Sequence, residues 1–131
     1  MDATLRFGPD DEEGFGAARR ELLAAYEAFL RDTRPVADLF IAELMLRYRW
    51  QDGDGRILRW TRDDLDGFLL DYLPRKATLS AEDIDAVPAD TGDFLDWLAG
   101  RGSLGGDPIA RLRSAIAELT PALRPRPPNS V

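Results

Sequence analysis

The stretch that decides the fold is Val36-Ala-Asp-Leu-Phe-Ile-Ala-Glu-Leu-Met-Leu-Arg-Tyr48. Its apolar side chains fall on every face of a helix rather than along one stripe. A helix that is apolar all round has to be covered on every side. We therefore predict that residues 36–48 form the central helix of a bundle. The alternative is that one of its faces meets a partner subunit.

Helical patterns flank this segment on both sides. Towards the N-terminus, apolar residues recur at intervals of three and four after an acidic start, which predicts a helix over residues 12–32. Towards the C-terminus, Thr61 and Asp64 have the spacing of a helix-capping pair. They predict a helix that runs from Thr61 to Leu73 and is ended by Pro74.

Two further helices are predicted between this helix and residue 102. Ser80 with Asp83 repeats the capping spacing and predicts a short helix through Val87. Pro88 then starts another helix, because proline is favoured in a first turn. The candidate C-caps of that helix are Gly100 and Gly102.

A last helix is predicted to begin with Asp107 as its N-cap and Pro108 at its first position. Its apolar residues follow a three-four spacing, and Pro121 ends it. The segment Trp50-Gln-Asp-Gly-Asp-Gly-Arg-Ile-Leu-Arg-Trp60 contains two Asp-Gly pairs, which favour tight turns. We expect one short hairpin or structured loop near residues 50–60.

These elements predict an all-α protein, with a single compact, irregular bundle of about six helices over residues 12–121. An acidic segment, residues 1–11, precedes this domain. A Pro- and Arg-rich tail, residues 122–131, follows it and is expected to be extended. The tail lacks the complete spacing of common SH3 ligands, so we favour a plain chain end over a recognition motif.

Composition excludes several kinds of chemistry. The chain of 131 residues has neither histidine nor cysteine, which removes the commonest general base, the usual zinc ligands and thiol chemistry. Its net charge of −7 argues against nucleic-acid binding. No apolar run is long enough for a membrane span, and the first residues lack a secretory signal. We therefore expect a cytoplasmic protein without nucleic-acid or membrane partners.

The loop Asp52-Gly-Asp-Gly55 imitates the middle of an EF-hand calcium loop. If Asp52 and Asp54 took its third and fifth positions, the first position would be Trp50 and the twelfth Thr61. Both terminal carboxylates would then be missing, including the bidentate glutamate that completes such a site. We predict a glycine-rich turn and assign no metal ligand.

Carboxylates are dense from Asp63 to Asp96, and Asp93 and Asp96 share one face of a predicted helix. Such a pair could hold Mg²⁺ for phosphate chemistry. This leaves open the hypothesis of a carboxylate- and Mg²⁺-dependent enzyme acting on a phosphorylated or nucleotide substrate. Most of these residues occupy capping or solvent-facing positions, so we favour a solvated face. We assign no catalytic residue and no cofactor.

The tryptophans Trp50, Trp60 and Trp97 stand near the ends of predicted elements. Aromatic residues in such places are usually packing anchors, which is the interpretation we favour. A weaker alternative is a small-ligand sensor with an apolar pocket under Trp60 and Trp97. Trp60 also precedes the predicted N-cap Thr61 and is kept as a candidate interaction residue.

The block Trp60-Thr-Arg-Asp-Asp-Leu-Asp-Gly-Phe-Leu-Leu-Asp-Tyr-Leu-Pro-Arg-Lys76 resembles a block in a group of uncharacterised actinobacterial proteins. Those proteins carry W-T, a helix with F-L-L-D, and then P-R-K. A Gly-Asp-rich turn precedes the tryptophan, and a helix similar to Phe94-Leu-Asp-Trp-Leu98 follows. The similarity covers about residues 40–104. It implies one helical domain and brings no activity, cofactor or catalytic residue with it.

Arg75 and Lys76 are the one adjacent basic pair within the acidic region from Asp63 to Asp96. A helix C-terminus stabilises cations, which explains the pair structurally. The functional hypothesis is that the pair attracts an acidic partner or an anionic ligand. Together with Trp60, they are the candidate interaction residues of a protein–protein interaction or regulatory module with an unknown protein partner. A monomer is favoured, with a homodimer as the alternative.

Overall fold

The computed structural model describes residues 5–33, 38–77 and 79–123 of the chain. Within these residues the chain forms five helices and one short parallel strand pair, which confirms the all-α class and corrects the expected number of about six helices. The helices are α1 (Glu12–Arg31), α2 (Phe40–Gln51), α3 (residues 62–76), α4 (Ala81–Gly100) and α5 (Ile109–Leu119). The strands are β1 (Arg59–Trp60) and β2 (Gly105–Gly106).

Helix α1 follows its predicted bounds to within one residue. The carboxylate of Asp11 accepts the N–H of Gly14 at 2.9 Å and caps the helix, and two glutamates occupy the first turn. The predicted apolar stripe faces the core. Its buried members are Phe15, Leu22, Tyr26 and Leu30.

Helix α2 lies at the centre of the bundle. It contacts α1, α4 and the middle of α3, and six of its twelve residues are buried. Its predicted start near Val36 lies outside the described residues. The described helix begins at Phe40, which is exposed, and continues to Gln51, three residues beyond the predicted end.

Helix α3 begins with the predicted capping box, in which the side chain of Thr61 accepts the N–H of Asp64 and the Asp64 carboxylate accepts the N–H of Thr61. It is α-helical over Arg62–Gly67, π-helical over Phe68–Tyr72 and α-helical again over Leu73–Lys76. The prediction that Pro74 ends this helix is therefore wrong. The wider π turn accommodates a residue that has no N–H to donate and whose ring would meet the i−4 carbonyl of a regular α-helix.

Helix α4 replaces the two helices predicted between residues 80 and 102. The capping box of Ser80 and Asp83 is confirmed, but the predicted break at Pro88 is wrong, because one helix runs through it. Pro88 removes a single N–H donor. Val87 directly before it and Thr91 three residues after it are buried, so packing of the continuous helix outweighs the lost bond.

The end of α4 follows the predicted glycine cap. Gly102 has a φ of +74°, and the N–H of Ser103 reaches back to the carbonyl of Leu98 at 2.8 Å. This is the six-to-one bond of a Schellman motif. The local glycine signal therefore located this end correctly.

The segment near residues 50–60 forms the expected structured loop and no hairpin. Its last two residues, β1, pair in parallel with β2, with Arg59 opposite Gly105 and Trp60 opposite Gly106. Gly106 has a φ of +89°, and a Cβ there would lie 2.2 Å from the carbonyl oxygen of Trp60. Glycine is therefore required where the two backbones meet.

The start of α5 differs from the prediction. Pro108 is the N-cap, and Asp107 does not cap its own helix. The Asp107 carboxylate instead accepts the N–H of Arg62 at 2.9 Å, so it caps the first turn of α3. The parallel pairing of β1 and β2 brings these two helix starts side by side.

The described part of the acidic N-terminal segment packs on the loop after α2. The N–H of Phe7 donates to the carbonyl of Gly55 at 3.0 Å, and the indole N–H of Trp50 donates to the carbonyl of Gly8 at 2.8 Å. In the described ranges, no helix combines the length and the apolar character that crossing a membrane requires. The predicted extended tail from residue 124 onward lies outside the described residues.

Candidate interaction site

An apolar groove of about 310 Å³ lies between the second half of α3, the start of α4 and the chain that follows α5. We call it the aliphatic groove. Every residue of its lining is apolar: Leu69, Leu70, Leu73, Pro74, Ala77, Leu79, Ile84, Ala122 and Leu123. Three separate parts of the chain therefore build one apolar depression.

The π turn of α3 supplies one wall of the groove. Leu69 and Leu73 are buried, whereas Leu70 between them is 38% exposed. π turns widen a helix locally and are frequent at functional sites. Leu70 is thus a large apolar side chain held partly in water beside an apolar cavity.

Arg75, the first member of the predicted basic pair, is engaged within the protein. Its guanidinium lies 3.1 Å from a carboxylate oxygen of Asp71 and 3.3 Å from one of Asp52. The hydrogen bond with Asp71 raises the pKa of Arg75, and the bond with Asp52 acts in the same direction. Arg75 therefore joins the end of α3 to the loop after α2, which supports the structural explanation of this cation.

Lys76, the second member, has a different environment. Its ammonium stands 5.8 Å from the ring centroid of Tyr72, and no carboxylate of the described ranges forms an ion pair with it. Lys76 also lines a neighbouring cavity of about 370 Å³, which shares Ala77 and Leu79 with the aliphatic groove. Lys76 is therefore the member of the pair that has no ion pair within the described ranges, and it lies next to the groove in a cavity that Asp38, Asp83 and Asp90 also line.

Trp60, the third candidate, does not join this surface. Its side chain is fully buried, with ring centroids 6.0 Å from Tyr48 and 5.8 Å from Phe68. Its indole N–H has no hydrogen-bond partner among the described residues. The position supports the packing interpretation, and Trp60 offers no surface to a partner in this structure.

Trp60 and Trp97 belong to different aromatic clusters, so they do not share the pocket suggested as a ligand site. The ring centroid of Trp97 lies 5.0 Å from that of Tyr26 and 5.9 Å from that of Phe94. The guanidinium of Arg101 lies 4.7 Å from the centroid of the Trp97 ring. A cavity of about 570 Å³ opens beside Trp97. Trp60 is not part of its lining.

The paired carboxylates of α4 face an arginine. Asp96 accepts a hydrogen bond from Nε of Arg113 at 3.1 Å, and Asp93 lies 4.0 Å from the same guanidinium. No group of three side chains suited to holding a metal ion occurs in the described ranges. The contact with Arg113 links α4 to α5 and gives these two carboxylates a structural role.

The loop that imitates an EF-hand is organised by a buried arginine that the sequence analysis did not single out. Arg49 is 3% exposed, and its guanidinium donates to Asp54 at 2.7 Å and to Asp64 at 2.9 Å. The Asp54 carboxylate also accepts the N–H of Arg56 at 3.1 Å. The only signal for this cluster was a charged residue directly after the helix predicted to be covered on every side.

The wall of the aliphatic groove that faces the π turn could not be predicted from the sequence either. Leu79, Ile84 and Leu123 lie in segments that are distant from the π turn along the chain. Their apolar character was visible, but their meeting with α3 depends on how α4 and the chain after α5 pack.

Comparison of the chain with protein-family models, with the curated proteins and with the solved structures finds no match.

Proposed function

We propose that this protein is a protein–protein interaction module whose aliphatic groove binds one amphipathic helix of a partner protein. The observation that carries the proposal is the groove itself, which is lined by apolar residues and has the exposed Leu70 at its edge. Full burial of a leucine side chain contributes about 1.5–3 kcal/mol, so a partner that covers Leu70 gains affinity.

The groove suits a helix better than an added strand. Its walls come from α3, the start of α4 and the chain after α5, and β1 and β2 take no part in them, so its lining offers side chains rather than the free edge of a sheet. A helix bound in such a groove inserts apolar residues at positions i, i+3 or i+4, and i+7. Lys76 next to the groove favours an acidic residue on the polar face of the bound helix.

Selection from a displayed library of short peptides on the immobilised full chain tests this proposal. We expect the selected peptides to share the helical apolar spacing and to carry an acidic residue beside it. Leu70→Glu should weaken their binding at least about tenfold, because the new charge would be buried in an apolar contact. Phe29→Glu is the matched control, since Phe29 is also half exposed but lies outside the groove.

Both variants change exposed positions, so we expect their unfolding free energies to stay within about 0.5 kcal/mol of the parent. Equal binding of the peptides by the parent and Leu70→Glu would refute the groove as the site. Failure of the selection to enrich any shared pattern would refute it as well.

The two basic residues are distinguished by separate substitutions. Lys76→Gln should weaken peptide binding mainly at low salt, because its charge acts through solvent, and should leave stability unchanged. Arg75→Gln should instead lower the melting temperature slightly, since it loses the contacts with Asp71 and Asp52. Peptide affinity that is insensitive to Lys76→Gln at every salt concentration would exclude the proposed acidic contact.

A further inference from the structure

Another cavity, of about 410 Å³, lies at the opposite end of α3 and is lined by charged residues. We call it the arginine cavity. Its walls are Arg59, Thr61, Arg62, Asp63, Asp107 and Arg111. Three guanidinium groups and two carboxylates line it, and a third carboxylate, that of Glu118, pairs with Arg62. Arginine side chains are thereby concentrated at one place in a chain whose net charge is −7.

The fold explains why these arginines meet. β1 leads into α3 and β2 leads into α5, and the two strands are parallel. Arg62 and Arg111, each in the first turn of its helix, are thereby brought to one cavity. The starts of both helices carry partial positive charge, which adds to the field of the arginines.

Arg59 is the arginine of this set that has no ion pair within the described ranges, although its charge acts at longer range on the Asp54 carboxylate. Arg62 pairs with Glu118, and Arg111 lies 3.8 Å from a carboxylate oxygen of Asp107. The half-buried side chain of Arg59 makes neither a hydrogen bond nor an ion pair within the described ranges. A guanidinium that makes no ion pair can donate its N–H groups to an anion from solution.

Asp107 shows that negative charge is already favoured here. Its carboxylate accepts the N–H of Arg62 at 2.9 Å and lies near Arg111. The carboxylate thus occupies part of the place that an external anion would take. It also competes with an external anion for the same arginines, so its removal should raise the affinity for that anion.

We propose that the arginine cavity binds a phosphate dianion, either free or carried by a small molecule, with Arg59 and Arg111 donating to its oxygens. The planar guanidinium fork matches phosphate geometry and can donate two parallel hydrogen bonds. Asp107 limits the affinity by competing for the same arginines. This site is independent of the aliphatic groove, so either can fail without the other.

The test is a calorimetric titration of the full chain with inorganic phosphate and, separately, with phosphoserine, at constant ionic strength set with chloride. We expect saturable binding that Arg59→Gln weakens about tenfold, the loss of one charge-assisted contact. The melting temperature should scarcely change, because the side chain of Arg59 makes no hydrogen bond or ion pair within the described ranges. Arg20→Gln on the exposed surface of α1 is the matched control and should leave the affinity unchanged.

Asp107→Asn should strengthen phosphate binding, because it removes the competing charge while its amide oxygen can still accept the N–H of Arg62. Tighter binding of phosphoserine than of inorganic phosphate would assign the site to a phosphate monoester, and the reverse order to the free ion. Either order supports the site. Absence of saturable binding at millimolar phosphate, or equal weakening by Arg59→Gln and Arg20→Gln, would overturn the proposal.

Discussion

Arg49 shows how much of this structure depends on one buried charge. Among the residues that the structure describes, it is the only charged one with a side chain almost wholly removed from solvent. Its contacts with Asp54, Asp64 and the carbonyl of Arg56 join α2 to the following loop and to the start of α3. Burying a charge is tolerated only when partners of this kind surround it.

Replacing Arg49 by methionine should therefore lower the free energy of unfolding by about 3–5 kcal/mol, because Asp64 is left without its buried counter-charge. Urea denaturation measures the loss. Arg47→Met is the control, since Arg47 is partly exposed and makes one i,i+4 pair with Glu43 at 3.6 Å. It should cost no more than about 1 kcal/mol. If the two variants lose the same free energy of unfolding, the buried contacts of Arg49 contribute no more to stability than the exposed pair of Arg47.

The same cluster predicts an acid-sensitive contribution to stability. Burial alone would raise the pKa of Asp54, but the N–H of Arg56 and the charge of Arg49 outweigh it and hold that pKa below its ordinary value. Such a carboxyl stabilises the fold above its unfolded-state pKa, and this stability is lost as pH falls through the folded-state pKa. We expect the unfolding free energy to decline below about pH 5, and to decline less steeply in Asp54→Asn. Urea denaturation at a series of pH values measures this decline. If the attribution to Asp54 is wrong, the unfolding free energies of the parent and of Asp54→Asn will fall equally steeply with decreasing pH.

Two glycines should respond to alanine in opposite directions. Gly106→Ala places a methyl group against the carbonyl of Trp60 at a positive φ, and should cost about 1–3 kcal/mol. Gly100, in the last turn of α4, has open space where a Cβ would lie, so Gly100→Ala should gain about 0.5–1 kcal/mol. Thermal denaturation of both variants checks the signs. A stable Gly106→Ala protein would mean that the parallel pair tolerates rearrangement.

At the scale of elements, α4 contains a proline that its neighbours tolerate. Pro88 lies inside the helix, where the N–H that would bond the carbonyl of Ile84 is missing. Pro88→Ala should raise the unfolding free energy by about 1–3 kcal/mol. Pro108→Ala is the control, because Pro108 is the N-cap of α5 and interrupts no helical bond; it should change stability by less than about 1 kcal/mol. If Pro88→Ala lowers stability in urea denaturation, α4 needs the local bend that proline imposes.

The elements could be predicted from the sequence wherever short-range chemistry decides them. Both capping boxes, the stripe of α1 and the Gly102 cap depend on residues within a few positions of one another. The helix end assigned to Pro74 was wrong because a π turn accommodates the proline. The helix break assigned to Pro88 was wrong because the burial of nearby side chains outweighs the N–H donor that proline lacks. The pairing of β1 with β2 has no local signal, since two glycines read equally well as a loop.

At the scale of the molecule, the packing of α2 tests whether its apolar residues are covered within one chain. Leu46 is fully buried, so Leu46→Ala should cost about 2–5 kcal/mol as a cavity mutation. Leu44, on the same helix, is only partly buried, and Leu44→Ala should cost less. Urea denaturation over a range of protein concentrations checks this prediction. A midpoint that rises with concentration would mean that a second copy contributes to the cover.

The candidate site was predictable only in part. The adjacent cations Arg75 and Lys76 stand out in an acidic stretch, and this signal points to the end of α3 beside which the aliphatic groove lies. The sequence could not show that Arg75 forms ion pairs with both Asp71 and Asp52, because Asp52 lies in the loop after α2 and is distant from Arg75 along the chain. The aliphatic groove itself depends on residues from three segments, so no single stretch carries its signature.

The parallel pair also affects how long the folded molecule survives. Arg62 and Asp107, which meet beside it, are separated by 45 positions, so this contact closes a long loop. Local helices form within microseconds, whereas closing a long loop carries an entropic cost that is repaid only when α4 and α5 have packed. Contacts formed after the transition state govern the rate of unfolding rather than that of folding. We therefore expect the pairing of the two strands to slow unfolding and so to determine how often α5 detaches and becomes accessible to proteases. The rate of folding should be almost unchanged by it.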